Sequence, residues 1–540
     1  MYLKNKHRLL YSLFFFVTTQ LHIPIHSADD LAFDFFDDNP NLALEPVCTN
    51  ADPADVVMLL IDDLDALCIL QQDFYKRTNE LNQRSLLDYG LFLPQKFYAR
   101  DWEIGAHIFY NQTTRDNFTR KSTALCSYLA IFNETLLNEI QRRAEELTEL
   151  PFQLREVLPL FANTTVQERR TGAMFHGMRR WGQYRFRFLF PFYYLESNIF
   201  LTPQEIDLIQ AALGITDPTD DMEFARNNLI ADKVGLGDLR LNFDFPFTNM
   251  PGMTTKIGVQ ATIPTAFSIK NGLYGSTFKK RCRGPLLDFC KLFDLATEKM
   301  DFDAIQNIVT QFGQDALEQF NANLIELPMG NGGHFGVGAY IRSKTPLNSV
   351  IKRPWADNIT MRSRMSVEYL FPHRQNRYFI EGDNKARFAA LGLDRATSVI
   401  TDQVTNDPAY ARAVLGFLES QLTDKVFPFS LSTKVQPGII FRWMTKYIYE
   451  TNQRWGYFVG TDTWLTTKER LSDIRVPEGF PTPLNCKIAR KPFGYQVGFM
   501  GNLFWKRPSG WLLTLNGQYD FTSTGIGSDF LLSFNFEKSF

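Results

Sequence analysis

The feature that most constrains this chain is a period of two, sustained over lengths that strands of soluble proteins rarely reach. In the final stretch Phe530, Leu532, Phe534, Phe536 and Phe540 share one face, and Asp529, Ser533, Asn535, Glu537 and Ser539 share the other. Only Leu531 and Lys538 break the alternation. Successive side chains of a strand point to opposite faces, so the pattern specifies a sheet with one apolar and one polar side. Two runs just upstream repeat it: Trp511, Leu513, Leu515, Tyr519 and Phe521, and Phe493, Tyr495, Val497, Phe499, Leu503 and Trp505. Each run is about 11–15 residues long, against roughly 5–6 for a soluble strand and about 9–11 for a tilted strand crossing a bilayer. Length favours lipid over a soluble sandwich, and so do the aromatic residues at both run ends, where membrane interfaces place them.

Composition narrows the class further. The 540 residues carry 57 Lys+Arg against 59 Asp+Glu, a net charge of −2. That balance excludes a strongly basic nucleic-acid wrapper and an acidic disordered tail. Mean hydropathy is −0.21, and after the first thirty residues no window offers the ~18 consecutive apolar positions of a spanning helix. A multi-helix membrane protein is therefore excluded. The apolar content is aromatic to an unusual degree, with 49 Phe, 20 Tyr and 8 Trp.

The N-terminus reads as an export signal. Lys4, Lys6 and Arg8 precede an apolar core over 9–17, and the small residues Ser27 and Ala28 suit cleavage. The core is about half the length of a spanning helix, so removal is expected rather than anchoring. Residues 1–28 are then a signal peptide, 29–95 an N-terminal helical segment, either periplasmic or a plug, and 96–540 the barrel. Helical insertions are expected at 135–160, 285–325 and 400–425, from three–four apolar spacing and from the helix-start pair Asp407-Pro408.

Alternating runs recur along the chain, giving thirteen candidate strands. They begin near Trp102 and Tyr184 and recur over 234–247, 256–263, 335–342, 362–371, 375–380, 427–433, 439–449 and 455–465, ahead of the three C-terminal runs. Single-chain bacterial barrels use even numbers, so one run is miscounted and 12 or 14 is expected. The side of the barrel on which 382–425 falls depends on whether 427–433 is a separate strand.

The C-terminal strand, with Gly527, Phe530, Leu532, Phe534, Phe536 and the terminal Phe540, resembles the assembly signal of Gram-negative outer-membrane β-barrel proteins. Lys538 departs from that pattern. The Gly-Leu-Gly-Asp-Leu start at 235–239 is similar to strands of FadL-like and porin-type transporters. The resemblance implies an all-β fold, a transmembrane antiparallel β-barrel of about 12–14 strands. It further implies outer-membrane lipid as solvent and the barrel-assembly machinery as a partner that reads the terminal aromatic.

Side chains that carry chemistry are sparse. Beyond residue 26 only His107, His176, His334 and His373 remain, without ligand spacing, so no metal or cofactor is expected. His334 with Ser343 suggests a phospholipase pair, but no Gly-x-Ser-x-Gly elbow accompanies it. Cys282 and Cys290 are disulfide candidates, with Cys48 and Cys68 next. Five Asn-x-Ser/Thr sequons, at Asn111, Asn117, Asn133, Asn163 and Asn358, would suit a eukaryotic secreted protein, but the C-terminal strand outweighs them.

On the polar faces sit Arg185, Arg187, Arg240, Arg342, Arg362, Arg364, Arg442 and Glu368, with Lys256, Lys446 and Lys506. Such charges either line a pore and set its ion preference or cross-pair as solvated groups. Two functions follow: a passive diffusion channel or porin-like transporter for small solutes, or a non-conducting surface barrel serving as adhesin or structural protein. Neither is an enzyme and neither binds nucleic acid.

Overall fold

The structure, a computed structural model, describes residues 83–92, 101–115, 165–207 and 220–277 apart from 205 and 251, 327–379, 429–450, 454–478 and 483–540, with scattered positions between 291 and 322. The described residues form seventeen strands. They are β1 (Trp102–Arg115), β2 (Thr165–Trp181), β3 (Tyr184–Phe200), β4 (Ile230–Leu236), β5 (Leu239–Met250), β6 (Met253–Ile263), β7 (Phe267–Asn271), β8 (Gly336–Pro346), β9 (Ile359–Leu370), β10 (His373–Phe379), β11 (Phe429–Gln436), β12 (Ile440–Glu450), β13 (Trp455–Thr466), β14 (Arg470–Ser472), β15 (Gly494–Lys506), β16 (Trp511–Thr524) and β17 (Ser528–Ser539).

Twelve of them close a barrel: β1, β2, β3, β5, β6, β8, β9, β12, β13, β15, β16 and β17, each antiparallel to its neighbours. The ring closes by pairing the first strand with the last, from Glu103↔Ser539 to Arg115↔Ser528. An even count lets those two run antiparallel, and closure leaves no unpaired edge in lipid.

The other five strands prolong barrel strands beyond one end of the ring. β4 pairs with the far half of β3, and β7 pairs with β4. β10, β11 and β14 make a separate three-stranded sheet in line with β9, β12 and β13. Each break between barrel and extension falls on residues that interrupt a ladder. Gly237 separates β4 from β5, Pro264 separates β6 from β7, Pro372 separates β9 from β10, and Pro437-Gly438 separates β11 from β12. Proline has no N–H to donate and glycine has no side chain to pack, so pairing lapses and the strand can bend there.

The thirteen sequence candidates map onto this with two changes. Residues 375–380 and 427–433 fall in β10 and β11, outside the closed ring. β2 is a further barrel strand without a readable alternation: its inward face carries the buried Met174 and Met178 and its outward face Thr171 and Ala173, so apolar contrast is lost. Two out and one in gives twelve. Because β11 continues into β12, the connection holding 382–425 leaves from the extension end.

The two ends differ. Connections 182–183, 251–252, 347–358, 451–454 and 507–510, of 2 to 12 residues, lie at one end. At the other, barrel strands are joined by 27 to 72 residues, except the short turn 525–527. Gly182 and Gly252 take φ +56° and +81° in the two-residue turns, a backbone region that suits glycine.

The barrel exterior is apolar: Ile108 is 55% exposed and Leu503 59%, and the outward residues of β17 (Phe530, Leu532, Phe534 and Phe536) stand bare beside them. Exposed apolar surface on this scale is stable only under hydrocarbon, so the barrel spans a membrane. At the short-turn end tryptophans gather under cations: Arg179 lies over Trp102 and Trp181, Arg507 over Trp505, and Lys538 over Trp511. Lys538, the departure from the terminal pattern, also donates to the Ser509 carbonyl at 2.7 Å, so its ammonium group reaches the interface rather than hydrocarbon.

Inside, Asp529, Ser533, Asn535, Glu537 and Ser539 are buried. The inward face is not uniformly polar, however. Phe109, Met174, Met444, Phe458, Met500, Phe504 and Leu531 form an apolar core within the lumen. Leu531, the other break in the alternation, is therefore a core residue. Asn111 lies buried on the inward face, so its sequon cannot carry a glycan in the folded barrel. Cys48, Cys68, Cys282, Cys290, the signal segment 1–28 and the insertions 135–160 and 400–425 fall outside the described residues, as does most of 285–325.

Candidate functional site

The lumen is crossed by the chain's own residues 83–92. Two short 3-10 turns, Leu86–Asp88 and Gly90–Phe92, give this segment its shape, and the Ser85 hydroxyl accepts from the Leu87 N–H at the start of the first. Leu86, Leu87, Tyr89, Leu91 and Phe92 are buried against the apolar wall residues. The Phe92 ring meets Phe109 edge-on, centroids 5.3 Å apart.

Polar contacts to six barrel strands hold the segment in register. Arg84 donates to Asp462 Oδ2 on β13 at 2.9 Å and stacks on Tyr89, 4.0 Å above its ring. The Tyr89 hydroxyl donates to Asp529 on β17 at 2.6 Å. Asp88 accepts from Arg240 of β5 at 2.8 Å and from the Trp464 indole of β13 at 3.2 Å. Arg240 also donates to the Leu87 carbonyl, Lys446 of β12 to the Gly90 carbonyl at 3.0 Å, and Arg170 of β2 to the Arg84 carbonyl at 2.8 Å. Gln83 reaches Thr113 on β1. Burial opposes charge on Arg84, but Asp520 and Asp462 outweigh it and hold the guanidinium pKa above its ordinary value. Burial, with Asp529 beside it, raises the Tyr89 phenol, so Tyr89 is a neutral donor.

The candidate residues on the polar strand faces point inward and gather in groups. Arg240 pairs with Glu368 at 2.7 Å as well as with Asp88. Arg442 joins Arg84 on Asp462, at 2.9 Å. Arg185, Arg187 and Arg342 converge on Asp244, which Tyr340 also contacts. The Tyr340 ring fits over Gly258 on the neighbouring strand, where a side chain would collide with it. Arg364 donates to Asn242 and Gln260 at 3.2 and 3.0 Å and lies 4.1 Å over Tyr340. Arg362 lies beside this last group, toward the short-turn end.

Sequence patterning missed Arg84, Asp88 and Tyr89. They sit in a segment without strand or helix periodicity, and nothing in their spacing signals a lumenal position.

Two cavities flank the crossing segment. One, of about 630 Å3, opens at the long-loop end among Glu168, Arg170, Lys233, Asp238, Arg377 and Glu469. The other, of about 190 Å3, lies at the short-turn end. His334 borders the first, in the loop before β8, whereas Ser343 borders the second. Nine residues of extended chain at ~3.3 Å each set them roughly 30 Å apart, too far for a nucleophile–base pair.

With twelve strands closed, lipid-facing outside and polar or plugged within, the architecture is decided. The fold is that of an outer-membrane β-barrel. No family model matches the chain, and no curated protein is significantly similar to it. Among solved structures it is similar to an outer membrane channel from Pseudomonas putida F1 (8% identity, TM-score 0.39, covering 83% of this chain and 99% of that one). It is also similar to the NanC porin (6% identity, TM-score 0.28, 81% and 100%) and to the translocator domain of the autotransporter NalP from Neisseria meningitidis (4% identity, TM-score 0.32, 84% and 91%). Likeness at this distance carries no argument about function, which has to rest on the lumen itself.

Proposed function

We propose that this protein is a gated channel for small solutes in the outer membrane of a Gram-negative bacterium. In this reading it is exported through a cleaved signal, inserted by the barrel-assembly machinery, and works without catalysis. The observation that carries the reading is the segment 83–92, which crosses the lumen between two cavities without joining the sheet. Burying its five apolar side chains contributes on the order of 10 kcal/mol, at ~1.5–3 each. Ordering ten residues of backbone costs about the same, ~1–2 kcal/mol each. The polar contacts from Arg84, Asp88, Tyr89 and Gly90 therefore decide whether the segment stays. A plug balanced in this way can leave the lumen without breaking any hydrogen bond between barrel strands.

The second reading is a non-conducting surface barrel, favoured by how completely the segment fills the mid-section. Planar-bilayer recordings separate the two. Wild type should conduct rarely, and Arg84→Ala or Asp88→Asn should raise open probability at unchanged heat-modifiable gel mobility. Silence from wild type and both folded variants would select the surface barrel.

A further inference from the structure

The smaller cavity gathers far more positive than negative side chains among the described residues. Eight basic side chains line it, five Arg and three Lys, and no Asp or Glu lines it among the described residues. Of the carboxylates around it, Asp244 is already shared by Arg185, Arg187 and Arg342, while Glu103 and Glu450 lie near Arg362 outside the lining. Residues 93–100, which link Phe92 toward β1, contain Lys96 and Arg100 and no acidic residue.

Arg364 is the decisive side chain. It is 6% exposed and lines this cavity, yet its Nε and Nη1 have no hydrogen-bond partner among the described residues. Among the described residues its donations go from Nη2 to two neutral amides. A buried guanidinium with unused donors and no carboxylate is costly unless something anionic completes it. The cavity opens past Lys344, an exposed residue near the short-turn end of β8. At about 190 Å3 it exceeds the ~150 Å3 that accommodates a benzene-sized molecule, so it has room for roughly ten heavy atoms.

We propose that this cavity binds a multivalent oxyanion of the diphosphate type, with Arg364 as the central donor and Lys344 at the entrance. Guanidinium forks match phosphate oxygens two at a time, and a low-dielectric wall strengthens each contact. The proposal rests on reading the lumen as a solute compartment, but it requires binding only, not conduction.

The test is isothermal titration of inorganic pyrophosphate into detergent-solubilised full-length protein. Saturable binding is expected, weakened by added salt, and lowered about tenfold or more by Arg364→Met. Absence of binding to wild type, or equal binding by a folded Arg364→Met, overturns the site. If Arg364→Met loses its heat-modifiable mobility, Lys344→Gln decides: weaker binding supports the site and unchanged binding overturns it. Bilayer recordings run alongside keep the two ideas apart, since binding by a barrel that never conducts leaves the site standing and removes only the channel.

Discussion

Arg84 concentrates the energetics of the lumen in one side chain. It neutralises Asp462, lies near Asp520 and Asp529, and stacks on Tyr89. Truncating it breaks a buried ion pair, a change that typically costs about 3–5 kcal/mol, with Arg442 still left on Asp462. Tyr89→Phe removes the hydroxyl that accepts from Asn111 at 3.4 Å and donates to Asp529, the latter bond worth about 1.5–3 kcal/mol with its charged acceptor. Open probability should therefore rise in the order wild type, Tyr89→Phe, Arg84→Ala; the reverse order in single-channel records would mean that the segment is not what blocks the pore. Lys446 gives a third point on this scale, because it both holds the Gly90 carbonyl and borders the basic cavity. At the rim, His334 is buried, which lowers its pKa to about 4, with Arg377 and His373 adding to the fall. Its Nδ1 pairs with the Phe371 carbonyl at 2.9 Å, and Nε2 accepts from Gln375 at 2.9 Å, an arrangement suited to the neutral ring. Because the folded pKa lies below the unfolded value near 6.5, the stability this group contributes is present above pH ~6.5 and lost as pH falls through about 4. Amide exchange in 331–335 should accelerate over that window, and His334→Gln should flatten the response.

At the scale of the element, β17 is a strand whose two faces obey different solvents. Phe534 sits mid-strand, opposite Leu515 of β16 and Ile108 of β1, with its ring facing outward. Phe534→Arg should destabilise the barrel by about 2–4 kcal/mol, whereas the same change at the terminal Phe540 should cost about 0–1. Reversible urea unfolding in lipid vesicles would show the difference, and equal costs would mean that the stripe does not lie at mid-bilayer depth. The extensions follow a separate rule. β10 and β11 pair over seven residues, from His373↔Val435 to Phe379↔Phe429, and bury Phe379, Phe429 and Leu431 in a small core of their own. Their stability is local, so they can differ in motion from the ring beneath them.

For the whole molecule, the inequality of the two ends sets orientation. Short turns are a periplasmic feature and long connections an extracellular one. Cys486, exposed with a free thiol, lies on the connection 467–493 at the long-loop end. Intact cells treated with a membrane-impermeant maleimide should label the protein there, and Cys486→Ser should reduce the labelling. Labelling at this position only after lysis would invert the barrel. In the expected orientation the larger vestibule faces outward and the basic cavity faces the periplasm, with residues 83–92 between them.

How much of this was legible in the sequence follows from what each signal measures. Period-two alternation reports the two faces of a strand, so β16, β17 and the lipid-facing stripe could be read directly, as could the inward placing of Arg185, Arg187 and Arg364. Alternation fails where a lumen is itself apolar: Met174 and Met178 hid β2, and Leu531 looked like an error. It is also blind to ring membership, since β10 and β11 alternate as well as any barrel strand and only the breaks at Pro372 and Pro437 separate them. The sequence by itself determined that the chain is a barrel with hydrocarbon outside, because that is a property of local pattern and of the length a bilayer demands. Tertiary structure alone decided that the lumen is closed. An irregular ten-residue segment acquires its meaning only from the Asp462, Asp529 and Arg240 side chains that distant strands bring to it.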